Sequence, residues 1–389
     1  MSNPVRAKPD GRYTVEAIVT EEALDLLEGD WNRLSAESEA PNVFMTYGWF
    51  RAWLRRLMAD EGRERLQPYV LAIRRDEAIA GIAPLVRRVV SRFGLRVRKL
   101  EFLTFHADYN DLVLGEDRAG QTAAVVEFLA RTTEQWELVD LKDLRGPGDV
   151  IAGAEKAAAH ARMRSLFLPE EVRCPYMPID GPWSEMMSRR SRSTRRVFRN
   201  FTVKAREGLQ VRVVENPQNE PGLLQQLVTL EALKHVRGQQ SGPFLAAYPD
   251  VFQSLFNILG PQGLLLIALL EWNGQLVACH LLYRCAKKIW GYFTAYDPEF
   301  SDLSPGAILN QAVVDYAFTN GFDEFDFLSG EDPYKMRWTS GFHERYRLQI
   351  WNRRWMSRAH AFAYFSLRVR RRLGRLNARE NHTGANNAK

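Results

Sequence analysis

The sequence predicts an α/β protein built as two similar halves, and three observations carry that reading. Short apolar runs of period two alternate with longer stretches whose apolar residues recur every three or four positions, the signatures of strand and helix. Passage 72–82, Ala-Ile-Arg-Arg-Asp-Glu-Ala-Ile-Ala-Gly-Ile, reads like passage 269–279, Leu-Leu-Glu-Trp-Asn-Gly-Gln-Leu-Val-Ala-Cys: a strand, a polar turn, and a second strand carrying a small residue. Such self-similarity marks a duplication, although two unrelated hairpins would share the same outline. Midway, Pro169, Pro175, Pro178 and Pro182 interrupt regular structure as a linker would.

The elements follow in order. The first half reads as strand 13–19, helices 21–38 and 47–58, strands 69–74, 79–87, 99–105 and 111–114, helix 119–133, strand 138–144 and helix 150–162. The second reads as helix 183–207, strand 210–215, helices 220–236 and 248–259, and a hairpin 264–284 turning on Asn273-Gly274, a pair that accepts positive φ. Strand 288–295, helix 305–320 and strands 324–327 and 347–353 complete it. The expected organisation is a disordered start (1–12), a first domain (13–174), a second domain (175–355), and a basic amphipathic helix with a flexible tail (356–389).

Composition excludes several classes. With 46% hydrophobic and 26% charged residues, the chain is globular rather than disordered. Its longest apolar run, 264–270, is far short of the roughly 20 residues that cross a bilayer. Cys174, Cys279 and Cys285 form no C-x-x-C pair, which excludes a disulfide framework and fits a reducing cytoplasm. The acids and histidines show no ligand spacing, so no metal is predicted. The net charge of +6 is unevenly spread: 189–206 and 347–379 are basic, 21–39 and 297–332 acidic.

One passage points to chemistry. After strand 288–295 come Tyr296-Asp-Pro-Glu-Phe-Ser-Asp-Leu-Ser304-Pro305-Gly306-Ala307 and a helix. Ser304 suits the cap, Pro305 the first turn, and Gly306 leaves the helix start unobstructed. Such a start is either an ordinary capped helix or a site for a pyrophosphate or phosphopantetheine phosphate.

The order of hairpin, strand, glycine-containing helix start, amphipathic helix, Gly321-Phe-Asp-Glu-Phe-Asp-Phe-Leu-Ser-Gly, then Tyr334-Lys335 and Trp338 resembles the GNAT acyltransferase superfamily. Within it the chain is similar to the cellulose-biosynthesis-type acetyltransferases, relatives of the double-GNAT Fem aminoacyltransferases. The resemblance covers 13–353 and implies tandem GNAT-like domains, each a mixed sheet flanked by helices. It also implies a pantetheine arm between splayed fourth and fifth strands, assigned to 275–284 and 288–295. The family's phosphate loop, Q/R-x-x-G-x-G/A, is kept here only in its later glycine. The donor that the resemblance implies is acyl-CoA or an acyl carrier protein thioester, with aminoacyl-tRNA as the Fem-like alternative. The implied reaction is N-acylation in cell-envelope lipid or polysaccharide synthesis, one version being long-chain acylation of a sphingoid-type amine. A non-catalytic scaffold for polysaccharide export is the alternative from another class.

The resemblance implies Tyr334 as proton donor to the departing thiolate, and Ser304, Gly306, Ala307 and Lys335 at the donor site. His280, mid-strand, is either an acceptor for the amine proton or a hydrogen-bonded core residue. Asp326, between Phe325 and Phe327, must be paired or functional, because an isolated buried carboxylate is costly; Lys335 is its expected partner. Turn 105–111 holds His106, Asp108 and Tyr109, which with Tyr292 face the acceptor if the resemblance holds, or the turn is a structural one hydrogen-bonded through Asp108 and Asn110; Glu231, Lys234 and His235 line the same cleft or form a solvated face.

Two basic stretches remain. The arginines of helix 183–207 suit a polyanion such as the 3′-phosphate of coenzyme A, an acidic carrier protein, anionic lipid or, less readily, RNA. The stretch 351–379 mixes aromatics with arginines, as in a helix lying on an anionic membrane; the alternative is a helix packed on the parent domain.

Overall fold

The structure, a computed structural model, describes residues 6–7, 12–39, 41–103, 106–146, 148–190, 192, 195–196, 208–236 and 243–386, those from 371 onward as helix backbone only. The first half contains β1 (Arg6–Ala7), β2 (Thr14–Ile18), α1 (Glu21–Asp25), α2 (Glu28–Glu37), α3 (Tyr47–Glu61), β3 (Leu66–Pro68), β4 (Val70–Arg75), β5 (Ala78–Ala83), β6 (Leu85–Arg92), β7 (Leu95–Phe102), β8 (Val113–Leu114), α4 (Arg118–Arg131), β9 (Leu138–Arg145), α5 (Asp149–His160) and β10 (Arg164–Pro169). There follow β11 (Cys174–Pro178), α6 (Trp183–Ser188), β12 (Leu209–Val214), α7 (Leu223–Val236), α8 (Pro249–Leu259), β13 (Leu265–Trp272), β14 (Gln275–Cys285), β15 (Lys288–Tyr296), α9 (Pro305–Thr319), β16 (Glu324–Asp326), α10 (Pro333–Met336), β17 (Gly341–His343), β18 (Arg345–Trp351) and α11 (Trp355–Asn386).

Local chemistry accounts for many boundaries. The Thr46 hydroxyl accepts from Trp49 N at the start of α3, and the helix stops at Gly62, whose φ of 82° suits glycine. Asn273 and Gly274, at φ 50° and 80°, make the tight turn between β13 and β14. The expected strand 79–87 divides at Pro84, which has no N–H to donate: β5 pairs with β4, and β6 crosses into the next sheet to pair with β7. Arg6 and Ala7, within the start expected to be loose, pair with Glu16 and Val15. The backbone of the Asn-rich tail is helical to Asn386. Of the arginine-rich stretch 183–207, residues 183–188 form a helix and Arg192, Arg195 and Arg196 are helical as well; Arg199, Lys204 and Arg206 lie outside the described residues.

The duplication is visible in the strand order. The first half builds on β2, β4, β5–β6, β7, β9, β18 and β10; the second on β12, β13, β14, β15, β16, β11 and β17. In both, the fourth and fifth strands (β7 with β9, β15 with β16) are parallel and joined through a helix, α4 or α9. The chain therefore has a tandem fold flanked by helices: a five-stranded and a six-stranded sheet, joined where β5 runs into β6, in the first half, and a seven-stranded sheet in the second.

In each sheet the strand between the fifth and the edge comes from the opposite half. β11, where the prolines predicted a linker, is a strand inserted between β16 and β17. Residues 345–351, expected in the second domain, run as β18 between β9 and β10 of the first. Apolar packing joins the halves as well: Trp49 meets Tyr283 at 5.5 Å between ring centroids, and Trp53 meets Phe252 at 6.4 Å.

This exchange predicts that the halves unfold together. Leu348, fully buried in the first-half core though it belongs to the C-terminal part of the chain, should cost about 2–5 kcal/mol when changed to alanine. Calorimetry should show one transition at lower temperature; two separated transitions would refute the coupling.

Candidate active site

The region expected to bind the donor is organised by β15 and α9. β14 and β15, expected to splay, are paired from Ala278–Tyr296 to Cys285–Lys288 and leave no room for a ligand between them. The divergence lies one strand further on. β15 and β16 pair only at Lys288–Trp290 with Glu324–Asp326, so residues 291–296 have no parallel partner from β16. Beside this open stretch is a cavity of about 420 Å³, lined by His280, Thr294, Ser304, Gly306, Asn310 and Tyr334 among others. Ala307 lines it too.

Ser304 does not cap α9 as expected. It occupies the left-handed region at φ 55°, ψ 52°, and its side chain makes no capping hydrogen bond. The start of a 15-residue helix thus faces the cavity without a side-chain oxygen over its amides, an arrangement that favours an anion. The equivalent point in the first half is closed. There Asp117 accepts from Gly120 N at 3.1 Å, and its other oxygen takes Arg12 at 3.0 Å and the Tyr13 hydroxyl at 2.9 Å. A side chain at Gly120 would run into Asp117, its Cβ 2.4 Å from Oδ2. In that half a carboxylate of the chain itself covers the helix start.

Two polar atoms at the donor cavity have no hydrogen-bond partner: His280 Nδ1 and Asn310 Oδ1, on side chains buried to 2% and 6% exposure. Burial, reinforced by the Lys335 charge, pushes the His280 pKa down to about 3, so the imidazole is neutral and too weak a base to take a proton from an amine. It packs on Gly291, where a Cβ would lie 3.0 Å from Nε2. Burial raises the Tyr334 pKa, against a hydrogen bond with Thr294 that lowers it, and the hydroxyl keeps its proton. Asn310 was not singled out from sequence, although it sits four residues after Gly306 on the same helix face.

Asp326 and Tyr109 meet elsewhere. Asp326, fully buried, accepts the Tyr109 hydroxyl at 2.6 Å and Leu328 N at 2.8 Å. Lys335, its expected partner, instead donates to Ser329 O at 2.6 Å and lies 3.5 Å from Asp332. Around the Tyr109–Asp326 bond, Arg345 pairs with Asp108 at 3.1 Å and Asp143 at 3.0 Å, and Glu324 takes Lys288 at 2.9 Å and His343 at 3.1 Å. Burial pushes the Asp326 pKa up to about 6 despite the Tyr109 bond. Burial opposes ionisation of Glu324 too, yet the bonds from His343 and Lys288 hold its pKa near 2. Glu324, Asp326 and His343 place possible metal-ligand atoms within 4.8 Å of one another, a set no spacing in the sequence reveals. Lys288, Tyr109 and Leu328 N already engage the carboxylate oxygens of this set.

His106, Asp108 and Tyr292 line a second cavity of about 470 Å³, with Phe244, Tyr248 and Ser329. Tyr292 is the extra residue of a β-bulge in β15 and donates to His106 O at 3.1 Å. Burial lowers the His106 pKa, so its ring is neutral near pH 7. Glu231 is neither a cleft wall nor a solvated face: buried, it accepts Phe244 N at 2.7 Å and Ala246 N at 3.1 Å and fixes the aromatic loop. The Lys234 and His235 side chains lie outside the described residues. The two cavities flank one stretch of β15, Tyr292 facing one and Thr294 the other.

Residues 188–336 match the acetyltransferase (GNAT) domain family. That stretch is a GNAT domain. It is an N-acyltransferase by that assignment, and the GNAT domain contains the whole α9 start and Tyr334. No curated protein matches the sequence. Among solved structures, FemX is similar over 82% of this chain and 95% of its own, at 12% identity and a TM-score of 0.57. A conserved protein of unknown function from Bacteroides thetaiotaomicron VPI-5482 is similar over 86% and 99%, at 12% identity and 0.55. At such identities the likeness establishes the fold of both halves, not a substrate.

The Asp326 carboxyl binds its proton more tightly folded than unfolded, where its pKa is 3.8. Its stabilising contribution is therefore complete below that pH and is lost as pH rises through about 6. In Asp326→Asn, stability relative to the parent should shift in the variant's favour by on the order of 2 kcal/mol between acid and neutral pH. Urea unfolding across that range measures it, and a constant difference would contradict the assignment.

Proposed function

We propose that this GNAT domain transfers an acyl group from a pantetheine thioester, acyl-CoA or an acyl carrier protein, to an amine. The observation that carries the reading is the donor cavity, which runs from the uncapped start of α9 along the open stretch of β15 to Tyr334. The amides of Gly306 and Ala307, beside Ser304, receive the donor's phosphate groups. Asn310 and His280 offer their unpartnered atoms to the amides of the pantetheine arm, which relieves the cost of leaving them buried and unbonded. The Lys335 ammonium adds positive charge beside the site.

The acceptor enters the cavity between the halves, where Asp108 orients its nitrogen and neutral His106 takes the proton it loses. Amine nitrogen attacks the thioester carbon, the C–S bond breaks, and the departing thiolate takes the Tyr334 proton. Tyr109 and Asp326 act as positioning residues, holding the turn that presents His106 and Asp108. Aromatic walls of Phe244, Tyr248 and Tyr292 suit an amine with an apolar body, as in cell-envelope lipid synthesis in the cytoplasm, including a long-chain amine of sphingoid type. Transfer from aminoacyl-tRNA is the second reading, favoured by the fold shared with FemX.

Calorimetric titration separates the two: acyl-CoA or free coenzyme A should bind and raise the melting temperature, and aminoacyl-tRNA should not. No coenzyme A binding together with tRNA-dependent transfer would overturn the pantetheine donor. Tyr334→Phe should lower kcat about 10²-fold at nearly constant KM. Asn310→Ala should raise the donor KM about tenfold, the worth of one buried hydrogen bond, at similar kcat. Full activity in both variants would remove these assignments.

A further inference from the structure

Among its described residues, helix α11 is docked along one face. Ser357 donates to Glu137 O at 2.5 Å, Trp351 Nε1 bonds His360 Nδ1 at 3.1 Å, Ala361 is buried, and Tyr364 and Phe365 pack on Trp351. On the opposite side Trp355, Phe362 and Val369 are 69%, 75% and 57% exposed. They are seven residues apart, close to two helical turns, and so form one stripe. Arg358 and Arg370, both exposed, flank it.

We propose that this outer face of α11 lies on an anionic lipid surface, a partner that goes beyond the acyl-transfer reading and does not depend on it. The charge pattern selects the occupant. From Arg353 to Arg379 the sequence has nine arginines and no aspartate or glutamate. A second copy of the same helix would set like charges together, and a nucleic acid would engage the arginines while leaving tryptophan, phenylalanine and valine in water. An anionic bilayer surface satisfies both, taking the apolar stripe between the headgroups and the arginines at the phosphates. Among the described residues no helix is long and apolar enough to cross the bilayer, so contact would be in the interfacial plane. The docked face fixes the helix to the first-half sheet, and the GNAT domain would be carried to the surface with it.

The test is flotation of the full chain with vesicles of phosphatidylcholine alone or mixed with phosphatidylglycerol. Binding to the mixed vesicles, weakened by salt, is expected. Because the three side chains are exposed, the Trp355→Ser, Phe362→Ser, Val369→Ser variant should keep the parent melting temperature while its vesicle partitioning falls at least about tenfold. Arg358→Glu with Arg370→Glu should do the same on anionic vesicles. The proposal is overturned if the parent ignores anionic vesicles, if the triple variant binds them as the parent does, or if homopolymeric RNA binds tightly while vesicles do not. Since Asn310→Ala leaves α11 untouched, its vesicle binding should equal the parent's, which separates failure of this proposal from failure of the donor site.

Discussion

The exchange of one strand between the two halves is the constraint on which the rest depends. β11 and β18 each form two ladders inside the opposite half's sheet, so neither sheet is complete without the other half of the chain. Pulling the halves apart would strip both strands of partners on both sides and expose backbone donors and acceptors in two sheet interiors. The relative placement of the halves is thereby fixed by ladder register rather than by a pliable linker. The cavity built from His106 and Asp108 of one half and Phe244 and Tyr292 of the other needs that fixed placement.

The same exchange explains the polar network at the seam. β18 brings Arg345 to Asp108 and Asp143, β17 brings His343 to Glu324, and β11 brings Cys174 beside Tyr109. In a low-dielectric interior such groups are tolerable only when paired, and removing one partner of a buried ion pair costs about 3–5 kcal/mol. Asp326 and Glu324, two residues apart on β16, show how finely this depends on partners. Glu324 receives Lys288 and His343 and is held ionised; Asp326 receives a neutral phenol and an amide and is held near the edge of protonation.

Duplication has left one fold with two unlike helix starts. In the first half the carboxylate of Asp117 closes the start of α4, anchored by Arg12 and Tyr13. In the second, Ser304 turns through the left-handed region and leaves α9 open to a cavity containing two unpartnered polar atoms. A single side chain at one position therefore decides which helix start is open, since an anion and a fixed carboxylate cannot share the same amides.

By itself the sequence determined the element types and the tandem organisation. Periodicity, Asn273-Gly274 and the Ser304-Pro305-Gly306 passage act through near neighbours in the chain. It also brought out His106, Asp108 and Tyr334, because polar residues among apolar ones stand out locally. Tertiary structure decided which strands pair, and so moved the splayed pair from β14 and β15 to β15 and β16. It turned the proline-marked linker into an inserted strand, gave Asp326 to Tyr109 instead of Lys335, and made His280 a neutral buried group. The physical reason is common to all of these: pairing, burial and pKa depend on groups up to 237 residues apart, as Arg345 is from Asp108, and no local pattern records such distances.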